Sequence, residues 1–516
     1  MIRIAAAAAL TALVSFNAHA QIVSSATADI ADPHLDKRSA RADRPSGLGE
    51  LWRQLESAEK AMSDGDLATA SRLLDDVLSA PAFAELDFER SHFALTSAAE
   101  VANKDGDFVR AHALYQRSTE HALATNDDWM GRLNSSWFIG NLDDAVASLS
   151  KIARRWPEEL QYISEWAINA LLAHARSEFP ETELPLLQAL FDSGWQTDLG
   201  REPSQIWMRM IELLIEEQAY DRALEVSSRL RDPLAIVTLR SDLRFAELVD
   251  TAPEWFDIEE TIDAEIIEAR LSVEAYPELL APAIALAESL LRAGRPDDAL
   301  LVIDTHMTRA ALKTVTGAAF EDVLSETVHA LTTKALALAA LERWDDAAAQ
   351  LALAAKQAVS KERSGDLYAV ALLQARLGLS DSALATLKRV TRRKSDPEAD
   401  LVRFIVAQTR GDADAADEAL DALVAAAGDA SAQAQRALLI AGRTDAAARL
   451  LIRRLNDPAQ RTPALLELQG MREQPWPGAT PDWSVLTEAL MSREDVRRSV
   501  NANGGIVSEY AIYRWN

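Results

Sequence analysis

Cysteine is absent from all 516 residues. That excludes disulfides, thiolate metal sites and cysteine nucleophiles together, along with the attachment site of a bacterial lipoprotein. Histidine is scarce, at eight, and no HExxH pair occurs. His92, His112 and His121 lie close in sequence, but separations of 20 and 9 residues do not put them on one helix face. Paired or exposed histidines are expected there, and no metal site. Aromatic residues make up only 6%. No stretch after the N-terminus is long and uncharged enough to cross a bilayer, which takes about 20 apolar residues. A phosphate-binding glycine loop is also missing, since Gly47-Leu48-Gly49 has neither a third glycine nor a strand before it. No serine sits in a G-x-S-x-G elbow. Basic charge is in deficit, with 53 Lys+Arg against 80 Asp+Glu and a net charge of −27. Such a field repels nucleic acid and anionic headgroups. No cofactor and no nucleic-acid partner are expected.

The N-terminus has the build of an export signal. Arg3 supplies the positive start, Ile4 to Phe16 form a 13-residue apolar stretch, and Ala18-His19-Ala20 gives a small-x-small cleavage pattern. Residues 1–20 are therefore read as a signal peptide, with the periplasm as the expected compartment and secretion beyond it as the second choice. Residues 21–48 are poor in large apolar side chains, carry Pro33 and Pro45, and are expected to be a disordered leader. Acidity is uneven. Residues 361–516 hold 21 basic and 21 acidic residues, so the whole excess lies upstream.

From Leu51 onward apolar residues recur at three- and four-residue spacing, which is helical. About 490 residues are too many for one compact core. A turn pattern then repeats: SDGDLATA (63–70), KDGDFVRA (104–111), FIGNLDDA (138–145), EEQAYDRA (216–223), RAGRPDDA (292–299), LERWDDAA (341–348), RLGLSDSA (376–383), TRGDADAA (409–416) and IAGRTDAA (440–447). Five residues past the turn position alanine stands every time, from Ala70, Ala111, Ala145, Ala223 and Ala299 to Ala347, Ala383, Ala416 and Ala447. Nine past it a large apolar residue follows in all cases but one, the exception being Ser227. The pattern predicts helical hairpins. Glycine ends the first helix in a left-handed cap, and aspartates such as Asp297 and Asp298 open the second, where its dipole favours them. The alanine marks a close crossing of two backbones.

This pattern resembles the tetratricopeptide repeat (TPR) family, which pairs helices in units of about 34 residues. Turn spacings are 41, 34, 78, 76, 48, 36, 33 and 31 residues. The family's small residue seven before the turn is matched by Ala58, Ala99, Ala287, Ala335 and Ala371, its early tryptophan by Trp129 and Trp207, and its closing proline by Pro157. The resemblance implies an all-α, TPR-like α-α superhelix, a solenoid of helical hairpins in two halves. The halves are placed at 49–252 and 253–474, with a break near 250–257; one continuous solenoid is the alternative. LRSDLRFAELV (239–249) looks like the terminal segment that closes some bacterial TPR arrays. Residues 158–204 are expected to hold a helix pair at 160–176 and 183–194 without the Gly…Ala signature. Residues 475–516 are read as cap and tail, with helices at 482–491 and 493–501 covering the last repeat and the aromatic tail IVSEYAIYRWN lying back in extended form.

In the TPR family the first helix of each unit lines a concave groove, at positions 13, 10, 6, 3 and 2 before the turn. Carried over, these include Glu100, Asn103, Lys104, Asn134, Glu212, Glu216, Glu288, Arg292, Tyr368, Arg376 and Arg436. The resemblance implies a scaffold that binds another protein or peptide there, in envelope assembly, secretion or polysaccharide export. Two other readings stand beside it. One is a glycan-processing enzyme of the lytic transglycosylase type built on an α-superhelix, for which Glu56-Ser57 and Glu288-Ser289 supply the needed dipeptide without the compact domain around it. The other is a structural spacer. Core packing is expected for Trp52, Trp129, Trp137, Trp156, Trp166, Trp195, Trp207, Trp255 and Trp344. The basic run KRVTRRK (388–394) is expected to close a helix, where cations complement the dipole.

Overall fold

The computed structural model describes residues 47–316, 320–360, 364–390, 396–426, 428, 431–473, 476–477, 483–506 and 509–514. The expected signal peptide, all but the end of the expected leader, the last four residues of the basic run, Pro475, Pro481 and Trp515 lie outside the described residues. Among the described residues the fold is all-α apart from one two-stranded sheet. Among the described residues no helix is long and apolar enough to cross a membrane.

The hairpins form where the turn pattern places them. Seven turn glycines, Gly65, Gly106, Gly140, Gly294, Gly378, Gly411 and Gly442, have positive φ, and so do the two non-glycine turn residues, Gln218 (φ 60°) and Glu342 (φ 57°). At each the following amide reaches back five residues, as in Asp66 N–H to the Ala61 carbonyl (2.8 Å), Ala219 to Leu214 (2.8 Å) and Arg343 to Leu338 (2.9 Å). The turn residue itself donates three back, as in Gly65 to Met62 (3.1 Å). Together these two bonds satisfy carbonyls that a helix end leaves open, the Schellman arrangement. Where the next residue is Asp or Asn it caps the second helix: Asp66, Asp107, Asn141 and Asp412 each accept from a backbone N–H three residues on. The nine alanines are all buried, at 3% exposure or less. The residues four further on, Ser227 included, are buried too. Small side chains thus sit where helices cross, and large ones fill the space beyond. This is a TPR-like fold.

The chain divides into two compact units, at Asp198 and Leu199. The first contains the hairpins Leu48–Ser63 with Leu67–Ser79, Phe88–Lys104 with Phe108–Thr119, Asn126–Phe138 with Leu142–Arg155, and Glu165–Glu178 with Pro180–Asp192. The last of these is the pair expected without the turn signature. Its helices are joined at Phe179-Pro180, and the left-handed glycine, Gly194, comes after the second helix.

The second unit runs from Ser204–Glu216 and Tyr220–Ser227 through Pro233–Ser241 and Ile258–Ala275 to five hairpins: Ala281–Arg292 with Pro296–Thr316, Val323–Ala340 with Trp344–Ser360, Ser364–Arg376 with Ser380–Leu387, Pro397–Arg410 with Ala413–Ala425, and Ser431–Ile440 with Thr444–Asn456. The break in the turn pattern near 250–257 falls inside this unit. Pro458–Glu467, Trp483–Met491 and Glu494–Asn503 follow, and the last covers Thr444–Asn456 with Val496 and Val500, both buried.

The unit also closes on itself. Pro233–Ser241 packs against Pro458–Glu467, and the Gly505 amide donates to the Ser241 carbonyl (2.9 Å). Arg244 binds both the buried Asp242 (2.7 Å) and Thr462 Oγ1 (2.6 Å). Gly504 lies so near that an added Cβ would stand 2.0 Å from the Ser241 oxygen. The segment read from sequence as an array terminus is thus one side of a seam with the end of the chain. Strand Tyr510–Arg514 lies parallel to Met471–Glu473, with Tyr510 and Ile512 buried.

Candidate protein-interaction face

The first helices of the second and third hairpins, Phe88–Lys104 and Asn126–Phe138, pack side by side. Asp128 joins them. It closes a capping box with Thr125 and also takes His92 Nε2 (2.8 Å) and Thr96 Oγ1 (2.6 Å) from the neighbouring helix. Burial opposes its charge, but bonds from the Thr125 backbone, Thr96, His92 and the Thr125 hydroxyl outweigh that and hold its pKa below the usual value. His112 has a similar partner in Asp144 (2.9 Å), which Arg132 also binds (2.8 Å). His174 meets Asp143 (2.8 Å). These histidines tie helices together.

The remaining residues of that pair of helices form a face of mixed chemistry. Glu100 pairs with Lys104 one turn on (2.6 Å). Asp127 has its pKa raised by burial and by the charges of Asp128 and Glu100. Asn103 and Asn134 each hold a side-chain carbonyl oxygen shut off from water and without a hydrogen-bond partner. Such orphaned acceptors are rare in folded proteins. Aromatics flank them. Phe138 stacks on Phe108 at 4.2 Å, and Trp137 meets Trp166 edge-on at 5.6 Å. Phe93, Phe138 and Trp166 remain exposed, Trp166 by 45%. Sequence reasoning assigned Trp137 and Trp166 to the core and left Phe93 and Phe138 unnamed. Phe93, Trp137 and Phe138 do stand 13, 3 and 2 residues before their turns, so the carried-over spacing contains them.

Several of the second-unit positions are engaged within the chain. Glu212 and Glu216 lie in the field of Arg244. Arg292 binds the buried Glu265 (2.6 Å), and Glu288 takes His329 (2.7 Å). Tyr368 donates to Asp396. Arg376, 4% exposed, lies over the Trp476 ring (5.8 Å), and Arg436 over Trp483 (5.3 Å). Burial and the Arg436 charge push the Arg376 guanidinium down to about 9. The later groove positions Arg376 and Arg436 are therefore covered by the chain's own C-terminal segment. Tyr513 rests on the Gly294 turn, and Arg514 donates to the carbonyls of Leu466 (2.6 Å) and Glu467 (3.0 Å). Of the two Glu-Ser pairs, Ser57 is bonded to the Arg53 carbonyl (2.6 Å) and Ser289 to that of Ala285 (3.0 Å). Among the described residues no group of three or more His, Asp or Glu could hold a metal ion.

The hairpins and their inner helix faces define a TPR-like helical repeat protein. No protein-family profile matches the chain, and no curated protein matches it. Among solved structures it is similar to yeast Tom70, with 10% identity over 88% of this chain and 100% of that one and a TM-score of 0.30. It is also similar to a tetratricopeptide repeat protein from Parabacteroides merdae (13%, 66% of this chain and 98% of that one, TM-score 0.24). A third is a Rap protein solved with Competence and Sporulation Factor (9%, 88% and 99%, TM-score 0.27). At these TM-scores the fold assignment rests on the turn and crossing geometry of this chain itself.

Proposed function

We propose that the chain is an exported, periplasmic scaffold that holds another protein against the inner helices of its first unit, in envelope assembly, secretion or polysaccharide export. Export is supported by the N-terminal charge, apolar stretch and cleavage pattern. The contact surface is Glu100, Asn103, Lys104 and Asn134 together with Phe93, Trp137, Phe138 and Trp166. One observation carries this reading. Phe93, Phe138 and Trp166 stand exposed on neighbouring helices of the first unit, whereas Arg292, Glu288 and Arg376 of the second unit are bound within the chain. Exposed aromatic side chains grouped among polar neighbours are what a partner buries as anchors.

Photo-crosslinking in cells tests it. A photoreactive residue replacing Asn134 or Phe93 is expected to capture a discrete protein, and one replacing the exposed Leu353 of the second unit is not. Equal capture from all three positions, or none from positions 134 and 93, would remove the first unit's inner helices as the contact surface.

A further inference from the structure

We propose that the paired strands Met471–Glu473 and Tyr510–Arg514, with Trp476, are a strap that lifts off the second unit as one piece while the hairpins beneath stay folded, and that its lifting uncovers Arg376. Tyr513 seats the strap on the Gly294 turn. Arg514 ties it to the carbonyls of Leu466 (2.6 Å) and Glu467 (3.0 Å), and Trp476 lies over Arg376 (5.8 Å). Arg376 is a groove position by its spacing, so the second unit presents it to a visitor only with the strap away. The strap is separate from the proposed contact surface, which lies in the first unit.

The pairing itself is slight. The strands have three and five residues, run parallel, and shift register between Met471 and Arg472. Two strands alone are marginal in water, and parallel pairs are slightly weaker per residue than antiparallel ones. The hairpins beneath carry their own turn caps and alanine crossings, so their helices stay closed without the strands.

Seating the strap also has a cost. The Tyr510 hydroxyl is shut off from water without a hydrogen-bond partner, which is unfavourable for a polar group. Three guanidiniums lie in one another's fields there, those of Arg376, Arg436 and Arg514. Burial lowers the pKa of each. The Arg436 charge adds to the effect at Arg376 and Arg514, while Glu473 of the strap opposes it at all three. Lifting the strap returns Tyr510 and Arg376 to water. Opening therefore recovers part of what closing loses, which is the condition for a cover that lifts before the unit unfolds.

Native-state hydrogen exchange of the full chain, read by mass spectrometry in low urea, tests the strap. Peptides spanning Met471–Glu473 and Tyr510–Arg514 are expected to exchange together, well before Pro397–Arg410, and at a rate that urea barely changes. Arg376→Met removes a buried cation, a change that is often neutral or stabilising. If closing is opposed by that cation, the variant holds the strap down and slows its exchange about tenfold, roughly 1.4 kcal/mol. Arg410→Met removes the same charge from an exposed position and is expected to leave strap exchange unchanged. Circular dichroism confirms that each variant is folded. Should Arg376→Met fail to fold, Tyr510→Phe deletes the partnerless hydroxyl and carries the same expectation. Strap amides as protected as Pro397–Arg410, strap exchange unchanged or faster in the folded variant, or equal slowing by Arg410→Met overturns the inference.

Discussion

Replacing Glu342 by glycine should make the protein more stable, although it deletes a side chain and adds none. Glu342 holds φ 57° at a turn where seven of the nine equivalents are glycine. An L-residue in the left-handed region carries about 1–2 kcal/mol of strain. Glycine relieves it but makes the unfolded chain more flexible, at about 0.4–1 kcal/mol. The net expectation is a gain of roughly 0.5–1 kcal/mol. Gly378→Ala runs the same ledger backwards. Its φ is 76° and a Cβ there meets nothing within 4 Å, so the loss is backbone strain alone, about 0.5–1.5 kcal/mol. Gly294→Ala adds a second term, because its Cβ would lie 2.6 Å from the Tyr513 ring. Overpacking of that kind costs about 1–3 kcal/mol more. All three positions lie in the second unit, so one denaturation transition reports them. Urea unfolding followed by circular dichroism gives the differences, and combining Gly294→Ala with Tyr513→Ala should remove the extra loss. If Glu342→Gly destabilises, or if Gly294→Ala costs no more than Gly378→Ala, the turn geometry or the tail placement is wrong.

Ala299→Leu forces a branched side chain into a fully buried crossing and should cost about 1–3 kcal/mol. Asp298→Asn loses an exposed pair with Arg295 and should stay under about 1 kcal/mol in the same urea assay. Ile512→Ala empties a buried position beneath the tail strand and should cost about 2–5 kcal/mol, read as a lower unfolding midpoint of the second unit. The His329 imidazole is pushed up to about 10 by its hydrogen bonds to Glu288 and Glu326, against the effect of burial. A raised folded pKa means that the interaction is complete below the unfolded value of about 6.5 and fades as pH rises through about 10. His329→Gln should therefore destabilise at pH 6 and become neutral at the alkaline end, and NMR should find this ring still protonated at pH 8.

The hairpins were legible in sequence because their determinants are local. A left-handed cap selects glycine, and a close crossing selects alanine five residues on. At Gln218 and Glu342 the alanine carried the phase where the cap residue had changed, and both residues take positive φ. The buried pairs Asp128–His92 and Asp144–His112 lie 36 and 32 residues apart, and periodicity holds no signal for them. The tail was equally out of reach. Tyr510–Arg514 meets Ile258–Ala275, Ala281–Arg292 and Met471–Glu473, and nothing in IVSEYAIYRWN says which surface receives it. Arg376 and Arg436, groove positions by spacing, are likewise covered from far along the chain, by Trp476 and Trp483. For Trp137 and Trp166 the apolar pattern pointed to the core. Trp166, 45% exposed, lies in the fourth hairpin, which lacks the turn signature.

Hydrogen–deuterium exchange on the chain with and without its captured partner addresses the proposed docking most directly. Slowed exchange in Phe88–Lys104, Asn126–Phe138 and the start of Glu165–Glu178, with Ser364–Arg376 unchanged, is the expected result. Protection that appears on Ser364–Arg376 and leaves those first-unit helices as they were would contradict it.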